Sequence, residues 1–213
     1  RLAASIGPEA ACAIHRCSVD LTLQRLAAFT PELCLCVEPG ASIPQVMEWL
    51  GPQYRMQPQV SGDLGVRLTH AFAQAFASGA KKVLAIGTDS PWLDCSHIQH
   101  AFDRLDSADV VLGPTADGGY YLIGLSRPMP KLFQDISWGS QSVFATTEAR
   151  VKEASLSCHL LQEGYDLDFP EDVERFIQDA NDSDIPEIYC EDMRVALKSY
   201  SDSRKKLSRI VPM

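Results

Sequence analysis

The sequence of 213 residues contains no apolar run close to the roughly 20 residues that a membrane-spanning helix requires, so we expect a soluble protein. It also has no C-x-x-C pair, the spacing that zinc sites and redox motifs use, although it contains 7 cysteines. These cysteines are odd in number and scattered, and most lie among apolar residues. This pattern favours buried free thiols in a reducing cytoplasm over a disulfide framework.

Basic residues are in the minority. Lys and Arg number 19 against 28 Asp and Glu, which gives a net charge of -9. A surface of this sign repels a phosphate backbone, so nucleic acid is not expected as a partner. A small phosphorylated ligand held by a metal remains compatible with this charge. Hydrolysis by a Ser/His/Asp triad is not indicated either, because the sequence has no G-x-S-x-G elbow.

Apolar runs of strand length alternate with segments of helical periodicity along most of the chain. This rhythm predicts one α/β domain with a three-layer, mostly parallel sheet. The expected strands are residues 33–37, 82–87, 109–113, 120–125 and 158–161. The expected helices include residues 8–29, 66–77, 96–105, 141–154 and 170–180. A polar linker over residues 181–184 and a final helix over 186–207 follow this domain.

The clearest buried strand, residues 82–87, is followed directly by Thr88 and Asp89. Ligands of open parallel sheets bind beyond the carboxyl ends of the strands, so Asp89 is expected to project into a binding crevice. A carboxylate at that place can hold Mg²⁺ or Mn²⁺ against a diphosphate, since hard cations prefer oxygen ligands. Alternatively, Asp89 forms a turn or a helix cap ahead of Pro91.

Two further carboxylates, Asp166 and Asp168, lie two residues apart in a segment expected to be extended. Their side chains should therefore point to the same side, where a divalent cation would offset their repulsion. The alternative is that Asp168 caps the helix that begins at Pro170. With Asp89 as a partner, we favour metal ligation by at least one of the two.

The third candidate is the segment from Asp117 to Tyr120, with the glycine pair Gly118 and Gly119 at its centre. The glycines allow the backbone to approach a ligand closely, and Asp117 could accept hydrogen bonds from a sugar or act as a base. Asp-Gly-Gly is equally typical of a plain turn between strands. Arg67, expected in the first turn of a helix behind Asp63, could reach a phosphate or simply be exposed.

Taken together, these segments resemble a family of glycosyltransferases with the GT-A nucleotide-diphospho-sugar transferase fold, associated with arsenosugar biosynthesis. The resembling residues are 59–68, 86–93, 110–125, 136–138 and 165–172. The resemblance implies that Asp89 is the metal-binding acidic residue of the fold and that Asp166 or Asp168 is the later carboxylate of the site. With Asp117 as the catalytic candidate, the substrate-binding candidates are Asp63, Arg67, Thr88, Gly118, Gly119, Tyr120 and Trp138.

Members of this family open with a strand and a glycine-rich basic loop, whereas this sequence opens at Arg1 and Leu2. The resemblance therefore implies a transferase-like domain over residues 1–180 without the family's N-terminal strand and loop, followed by the linker and helix of residues 181–213. Position 90 carries Ser where Cys is expected in many relatives.

The expected function is metal-dependent transfer of a sugar from a nucleotide-diphospho-sugar to a small-molecule acceptor, with Mg²⁺ or Mn²⁺ as the cofactor. Two alternatives stay open. The same fold and metal would serve nucleotidyl transfer to a sugar phosphate, and a relative without catalytic activity would serve as a binding or scaffold protein. The expected partners are a nucleotide sugar and its acceptor, without nucleic acid or membrane, and self-association into a homo-oligomer is compatible with the sequence.

Overall fold

A computed structural model describes residues 1–29, 32–180 and 185–207, with side chains described as far as residue 198. The chain divides into two compact units. The first unit consists of Arg1–Ala27, Thr88–Asp94 and Tyr165–Met213. The second unit consists of Ala28–Gly87 and Cys95–Gly164.

All of the described strands belong to the second unit. They are β1 (Cys34–Val37), β2 (Arg55–Pro58), β3 (Val83–Ile86), β4 (Val110–Pro114), β5 (Tyr120–Leu125) and β6 (Cys158–Leu160). β1 and β2 pair in parallel as a two-stranded sheet, and the other four form a sheet in the order β3-β5-β4-β6. β5 is antiparallel to β3 and to β4, while β4 and β6 are parallel. Three of these four strands thus share one direction, and the expected α/β class with a mostly parallel sheet is confirmed.

Eight α-helices are described. They are α1 (Leu2–Ile6), α2 (Pro8–Arg25), α3 (Ile43–Leu50), α4 (Leu64–Ala77), α5 (Cys95–Arg104), α6 (Val143–Glu153), α7 (Pro170–Ala180) and α8 (Glu187–Leu207). Short 3-10 helices cover Gly40–Ser42 and Pro130–Phe133. Within the described part of the chain, no helix has both the length and the apolar character needed to cross a membrane.

The core of the second unit forms on one face of β4 and β5. Cross-strand neighbours Val110 and Leu125, and Leu112 and Ile123, lie on this face because strand side chains alternate with period two. Phe72 of α4 and the 3-10 helix Pro130–Phe133 cover them, together with part of α6. Phe72 and Phe133 stack with ring centroids 5.6 Å apart.

The first unit is helical, and its core joins α1, α2, α7 and α8. α7 buries four residues at positions i, i+3, i+4 and i+7, the spacing of one helix face: Val173, Phe176, Ile177 and Ala180. α8 contributes three more buried side chains to the same cluster, Cys190, Met193 and Ala196. α2 begins at Pro8 directly after Gly7, whose φ of 83° separates it from α1.

Several boundaries differ from the sequence-based expectation. α2 ends at Arg25 rather than near Phe29, and α1, which precedes it, was not predicted. β5 and α7 have the predicted bounds. The expected linker of residues 181–184 lies outside the described residues, and the final helix begins at Glu187.

The cysteines are less buried than the sequence suggested. All seven are free thiols, as expected, but only Cys190 is buried, and Cys12, Cys36 and Cys158 are exposed. The expectation of mostly buried thiols was wrong because an apolar neighbourhood along the chain does not fix which face of a strand is covered. β1 and β6 each pair with a neighbour on one side only and expose one of these cysteines each.

A substitution at Gly65 can test how closely α4 packs against its neighbours. A Cβ atom at this buried position would lie 2.4 Å from the Phe133 carbonyl oxygen and 2.7 Å from Trp138 Nε1. In an open helix, Gly→Ala would stabilise by roughly 0.5–1 kcal/mol, but here the overlap should reverse the sign. We expect Gly65→Ala to lower the free energy of unfolding by about 1–3 kcal/mol in urea titrations. Val66→Ala, at a 49% exposed neighbour, should change it by less than about 0.5 kcal/mol; equal effects of the two would contradict this packing.

Candidate functional site

Two segments of the first unit are bound together by hydrogen bonds. The Leu167 backbone N–H donates to the Asp89 carbonyl oxygen over 2.9 Å. Trp92 Nε1 donates to the Tyr165 carbonyl oxygen over 2.7 Å. The Ser90 hydroxyl, which is fully buried, donates to Asp166 Oδ1 over 2.6 Å. These three bonds bring the residues after Gly87 and the residues before α7 side by side.

Tyr165 fixes this arrangement to α7. Its ring stacks on Trp92 with centroids 6.0 Å apart, and the Arg175 guanidinium carbon lies 3.9 Å from the ring centroid. Its hydroxyl donates to Asp179 over 3.0 Å. Burial, followed by the Asp179 carboxylate, raises the pKa of Tyr165, so the phenol stays protonated as a donor.

α2 forms hydrogen bonds to both ends of the segment that follows Gly87. The buried Ser18 hydroxyl donates to the Thr88 carbonyl oxygen over 2.6 Å, so the backbone of Thr88 is held although its side chain is exposed. Arg25 Nε donates to the Leu93 carbonyl oxygen over 3.0 Å, and its Nη2 lies 3.3 Å from Asp94 Oδ2. The segment Thr88–Asp94 is therefore anchored along its length.

A cavity of about 220 Å³ opens in this unit, and both Asp89 and Asp168 line it. His15 and Ser18, three residues apart on α2, also line the cavity, as does Arg1. Arg1 Nη1 lies 2.5 Å from Asp168 Oδ2. The cavity is thus polar, with two carboxylates and one guanidinium at its wall.

Asp172, in the first turn of α7, binds the backbone that leads into this helix. The backbone N–H groups of Asp168 and Phe169 donate to Asp172 Oδ2 over 3.1 and 2.8 Å. Asp172 therefore satisfies donors at the start of α7. The carboxylate of Asp168 faces Arg1 and the cavity instead.

These residues fit a hard divalent cation. Asp89 and Asp168 both line one cavity, and Asp166, two residues before Asp168, accepts the hydrogen bond of Ser90. Across the described residues, no three His, Cys, Asp or Glu side chains converge as a complete metal site. Mg²⁺ needs no such set, because it is usually held by one or two carboxylates together with substrate phosphates and water.

In the second unit, Asp117 holds a turn between β4 and β5. Its Oδ1 accepts hydrogen bonds from the Thr115 hydroxyl over 2.7 Å and from the Gly119 backbone N–H over 3.1 Å. The Thr115 and Gly119 backbones also bond to each other over 3.1 Å. The turn alternative from the sequence is therefore realised, with Asp117 as its organising side chain.

The two glycines of this turn have a packing role. Gly118 has φ of 86°, and a Cβ atom there would lie 2.1 Å from the Gln141 carbonyl oxygen. Its own carbonyl accepts from the Phe144 backbone N–H over 2.8 Å. At Gly119, a Cβ atom would lie 3.1 Å from the Thr115 hydroxyl. The pair thus lets the turn pack closely against the start of α6.

Asp63 and Arg67 shape the beginning of α4. Asp63 Oδ1 accepts from the Val66 backbone N–H over 2.9 Å as the helix N-cap. Arg67 Nε donates to the Gly62 carbonyl and its Nη1 to Gln59 Oε1, each over 3.1 Å. Two of the five guanidinium N–H donors are therefore used within this loop.

Tyr120 and Trp138 lie together in the second unit, with ring centroids 6.4 Å apart and nearly perpendicular. The Tyr120 hydroxyl and Trp138 Nε1 are both buried and form no hydrogen bond of normal geometry. Burial raises the pKa of Tyr120, and the nearby Thr147 hydroxyl offsets this only in part. Two polar atoms in an aromatic setting could therefore orient a ligand or an ordered water.

The structure thus brings four of the sequence-based candidates together in the first unit: Thr88, Asp89, Asp166 and Asp168. The remaining candidates, Asp63, Arg67, Asp117, Gly118, Gly119, Tyr120 and Trp138, all belong to the second unit. Sequence reasoning missed His15, Ser18 and Ser90. The i, i+3 spacing of His15 and Ser18 on α2 was an available signal, but nothing local marked Ser90 as the partner of a residue 76 positions away.

Comparison with solved structures supports this fold. A protein from Desulfovibrio desulfuricans G20, provisionally assigned as a nucleotide-diphospho-sugar transferase, is 32% identical, with a TM-score of 0.86 over 94% of this chain and 90% of that one. The 4-diphosphocytidyl-2C-methyl-D-erythritol synthase of Anaerococcus prevotii DSM 20548 is 11% identical, with a TM-score of 0.54 over 76% of this chain and 86% of that one.

A protein of Mycobacterium tuberculosis H37Rv, solved in complex with manganese, is 17% identical, with a TM-score of 0.53 over 76% of this chain and 85% of that one. At such low identities the last two likenesses show the fold alone, which is that of nucleotide-diphospho-sugar transferases and related nucleotidyltransferases. No curated protein is detectably similar to the chain.

Residues 22–140 match the family DUF2064, described as an uncharacterized protein conserved in bacteria. This match covers more than half of the chain. The chain therefore belongs to the DUF2064 family of bacterial proteins.

Proposed function

We propose that this protein is a metal-dependent glycosyltransferase that takes a nucleotide-diphospho-sugar as donor and a small molecule as acceptor. The observation that carries the proposal is the placement of Asp89 and Asp168 on one polar cavity, with the nearby Asp166 carboxylate held by the Ser90 hydroxyl. The provisional transferase assignment of the 32% identical Desulfovibrio protein supports the same class of reaction.

Asp89 and Asp168 would hold Mg²⁺ or Mn²⁺, with Asp166 as a further carboxylate of the site. The cation would supply charge neutralisation of the nucleoside diphosphate that leaves when an acceptor hydroxyl attacks the anomeric carbon. The chain's own residues prepare this site before any ligand arrives. The hydrogen bonds of Leu167 and Ser90 fix the backbone of Asp89 and the side chain of Asp166, so little conformational freedom is left to lose on binding.

The proposed substrate contacts of the second unit remain Asp63, Arg67, Gly118, Gly119, Tyr120 and Trp138, with Thr88 in the first unit. Two of them have a specific argument. Among the described residues, the Tyr120 hydroxyl and Trp138 Nε1 are buried polar atoms without a hydrogen bond of normal geometry, and such atoms gain binding free energy when a ligand supplies a partner. Asp117 is proposed as the catalytic carboxylate, although its Oδ1 also organises the turn that contains Gly119.

Nucleotidyl transfer to a sugar phosphate is the second candidate. It is favoured by the fold shared with the Anaerococcus 4-diphosphocytidyl-2C-methyl-D-erythritol synthase. The two reactions release different products, since sugar transfer frees a nucleoside diphosphate and nucleotidyl transfer frees pyrophosphate. A binding protein without catalytic activity would release neither.

Asp89→Asn should remove the metal dependence of nucleotide binding while the fold persists. In titrations of UDP, GDP, ADP, CDP and dTDP with Mn²⁺, we expect the affinity of the best ligand to fall by at least about 10- to 100-fold, as for other losses at metal sites. With EDTA in place of Mn²⁺, the variant and the original protein should bind that ligand equally weakly.

Asp192→Asn is the matched control, because it removes an exposed carboxylate from α8 of the same unit. It should leave the Mn²⁺-dependent affinity unchanged. Unchanged metal-dependent affinity in a folded Asp89→Asn protein would contradict the assignment of Asp89 to the metal site.

Asp117→Asn separates a catalytic role from a structural one. Asn keeps a side-chain oxygen that can accept from Thr115 and from the Gly119 N–H, but it carries no charge and is not a base. We expect at least one nucleoside diphosphate sugar, incubated with the protein and Mn²⁺, to be slowly hydrolysed to the free sugar and the nucleoside diphosphate. Asp117→Asn should slow this by about 100-fold or more, the contribution typical of a positioned base.

Asp117→Ala should be slowed as well, and it should also melt at a lower temperature because the turn loses its acceptor. If Asp117→Asn hydrolysed the nucleotide sugar at the wild-type rate, the carboxylate would have only the role of forming the turn. Pyrophosphate release from a nucleoside triphosphate and a sugar phosphate, without turnover of any diphosphate sugar, would establish nucleotidyl transfer instead.

A further inference from the structure

Two cysteines lie on one face of the two-stranded sheet in the second unit. Cys34 and Cys36 are two residues apart in β1, so their side chains point to the same side. Their register partners in β2 are Arg55 and Gln57, which share that face. Cys36 is exposed and Cys34 is partly exposed.

The surroundings of the two thiols are polar and interact with them. Gln57 Nε2 donates a hydrogen bond to Cys36 Sγ over 3.2 Å. Burial, followed by the neighbouring Cys36, raises the pKa of Cys34, while the Arg55 guanidinium acts in the opposite direction. Because the two side chains leave the same face of one strand two residues apart, their sulfur atoms occupy neighbouring positions on that face.

We propose that Cys34 and Cys36 form a two-thiolate binding site for a soft monovalent cation of the Cu(I) type. Soft thiolate ligands select Cu(I) over hard cations, whereas carboxylate oxygens such as those of Asp89 and Asp168 select Mg²⁺ or Mn²⁺. The proposed site is therefore chemically distinct from the site of the proposed function and does not depend on it.

The strand geometry favours a bridging cation over a disulfide. Two residues of an extended strand are about 6.4–6.8 Å apart at Cα, which is the upper end of the range of about 4.4–6.8 Å that disulfides tolerate. With metal–sulfur bonds similar to the zinc–thiolate length of about 2.3 Å, a linear two-thiolate site spans about 4.6 Å between its sulfur atoms, more than twice the S–S bond length of about 2.05 Å. The two sulfur atoms therefore need to move toward each other much less to bind a cation than to form a disulfide.

The change in charge on binding also supports a cation site at the two thiols. When the cation binds, each thiol loses its proton to solvent and two S–Cu bonds form, which leaves one net negative charge and changes no oxidation state. Arg55 lies beside Cys34 and can offset this charge in part, although it also pairs with Glu32 over 2.5 Å. The cation removes the thiolate repulsion that otherwise opposes the second deprotonation.

The test is a titration of the reduced, intact chain with Cu(I) under anaerobic conditions, in competition with the chromogenic chelator bicinchoninate. We expect the chain to remove one molar equivalent of Cu(I) from the chelator. Cys34→Ser and Cys36→Ser should each lower the affinity by at least about 100-fold, because a second ligand on the same strand acts at high effective concentration. Cys158→Ser, which removes an exposed thiol from β6, should bind as the original chain does.

Thermal melts of the apo proteins would establish that the serine variants are folded. Retention of the tight site in both Cys34→Ser and Cys36→Ser, or an equal loss in Cys158→Ser, would overturn the proposal. So would the absence of Cu(I) withdrawal from the chelator combined with a Cys34–Cys36 disulfide after mild oxidation, detected by mass spectrometry of that peptide.

Discussion

The arrangement of carboxylates in the first unit depends on the hydrogen bonds between the segment after Gly87 and the segment before α7. A backbone bond joins Leu167 to Asp89, and the buried Ser90 hydroxyl binds Asp166. Carboxylates placed close together repel, so they need fixed partners to stay in place. A buried donor such as Ser90 is effective because its alternative, an unsatisfied hydroxyl, would cost about 1–3 kcal/mol.

The second unit uses its polar residues differently. Asp63 caps α4, Arg67 binds the loop before it, and Asp117 organises the turn between β4 and β5. Asp63 binds a backbone N–H in the first turn of α4, whereas Arg67 and Asp117 bind backbone groups that lie outside regular strands and helices. Such positions can still contact a ligand, because a carboxylate accepts several hydrogen bonds and a guanidinium donates five. Structural and functional roles are therefore compatible at these residues.

The sequence predicted features with a local cause and missed those that depend on distant partners. β5 and α7 had their bounds predicted because their apolar periodicity is complete within each element. Asp89 was proposed as a candidate because a carboxylate directly after a buried strand is a local pattern. The partners of Asp166 and Thr88 were not found, since Ser90 and Ser18 lie 76 and 70 residues away in the chain. Exposure of Cys36 was missed for the same reason, because covering a strand face requires a distant element.

The number of carboxylates at the cavity bears on how a cation would be held. Asp89 and Asp168 line it, and Asp168 is partly neutralised by Arg1. Two carboxylates leave most positions around a six-coordinate Mg²⁺ to water or to phosphate oxygens. Such a site would bind the bare ion weakly and gain affinity when a diphosphate completes the coordination. Ion and nucleotide would then each strengthen the binding of the other by the same factor, as linkage requires.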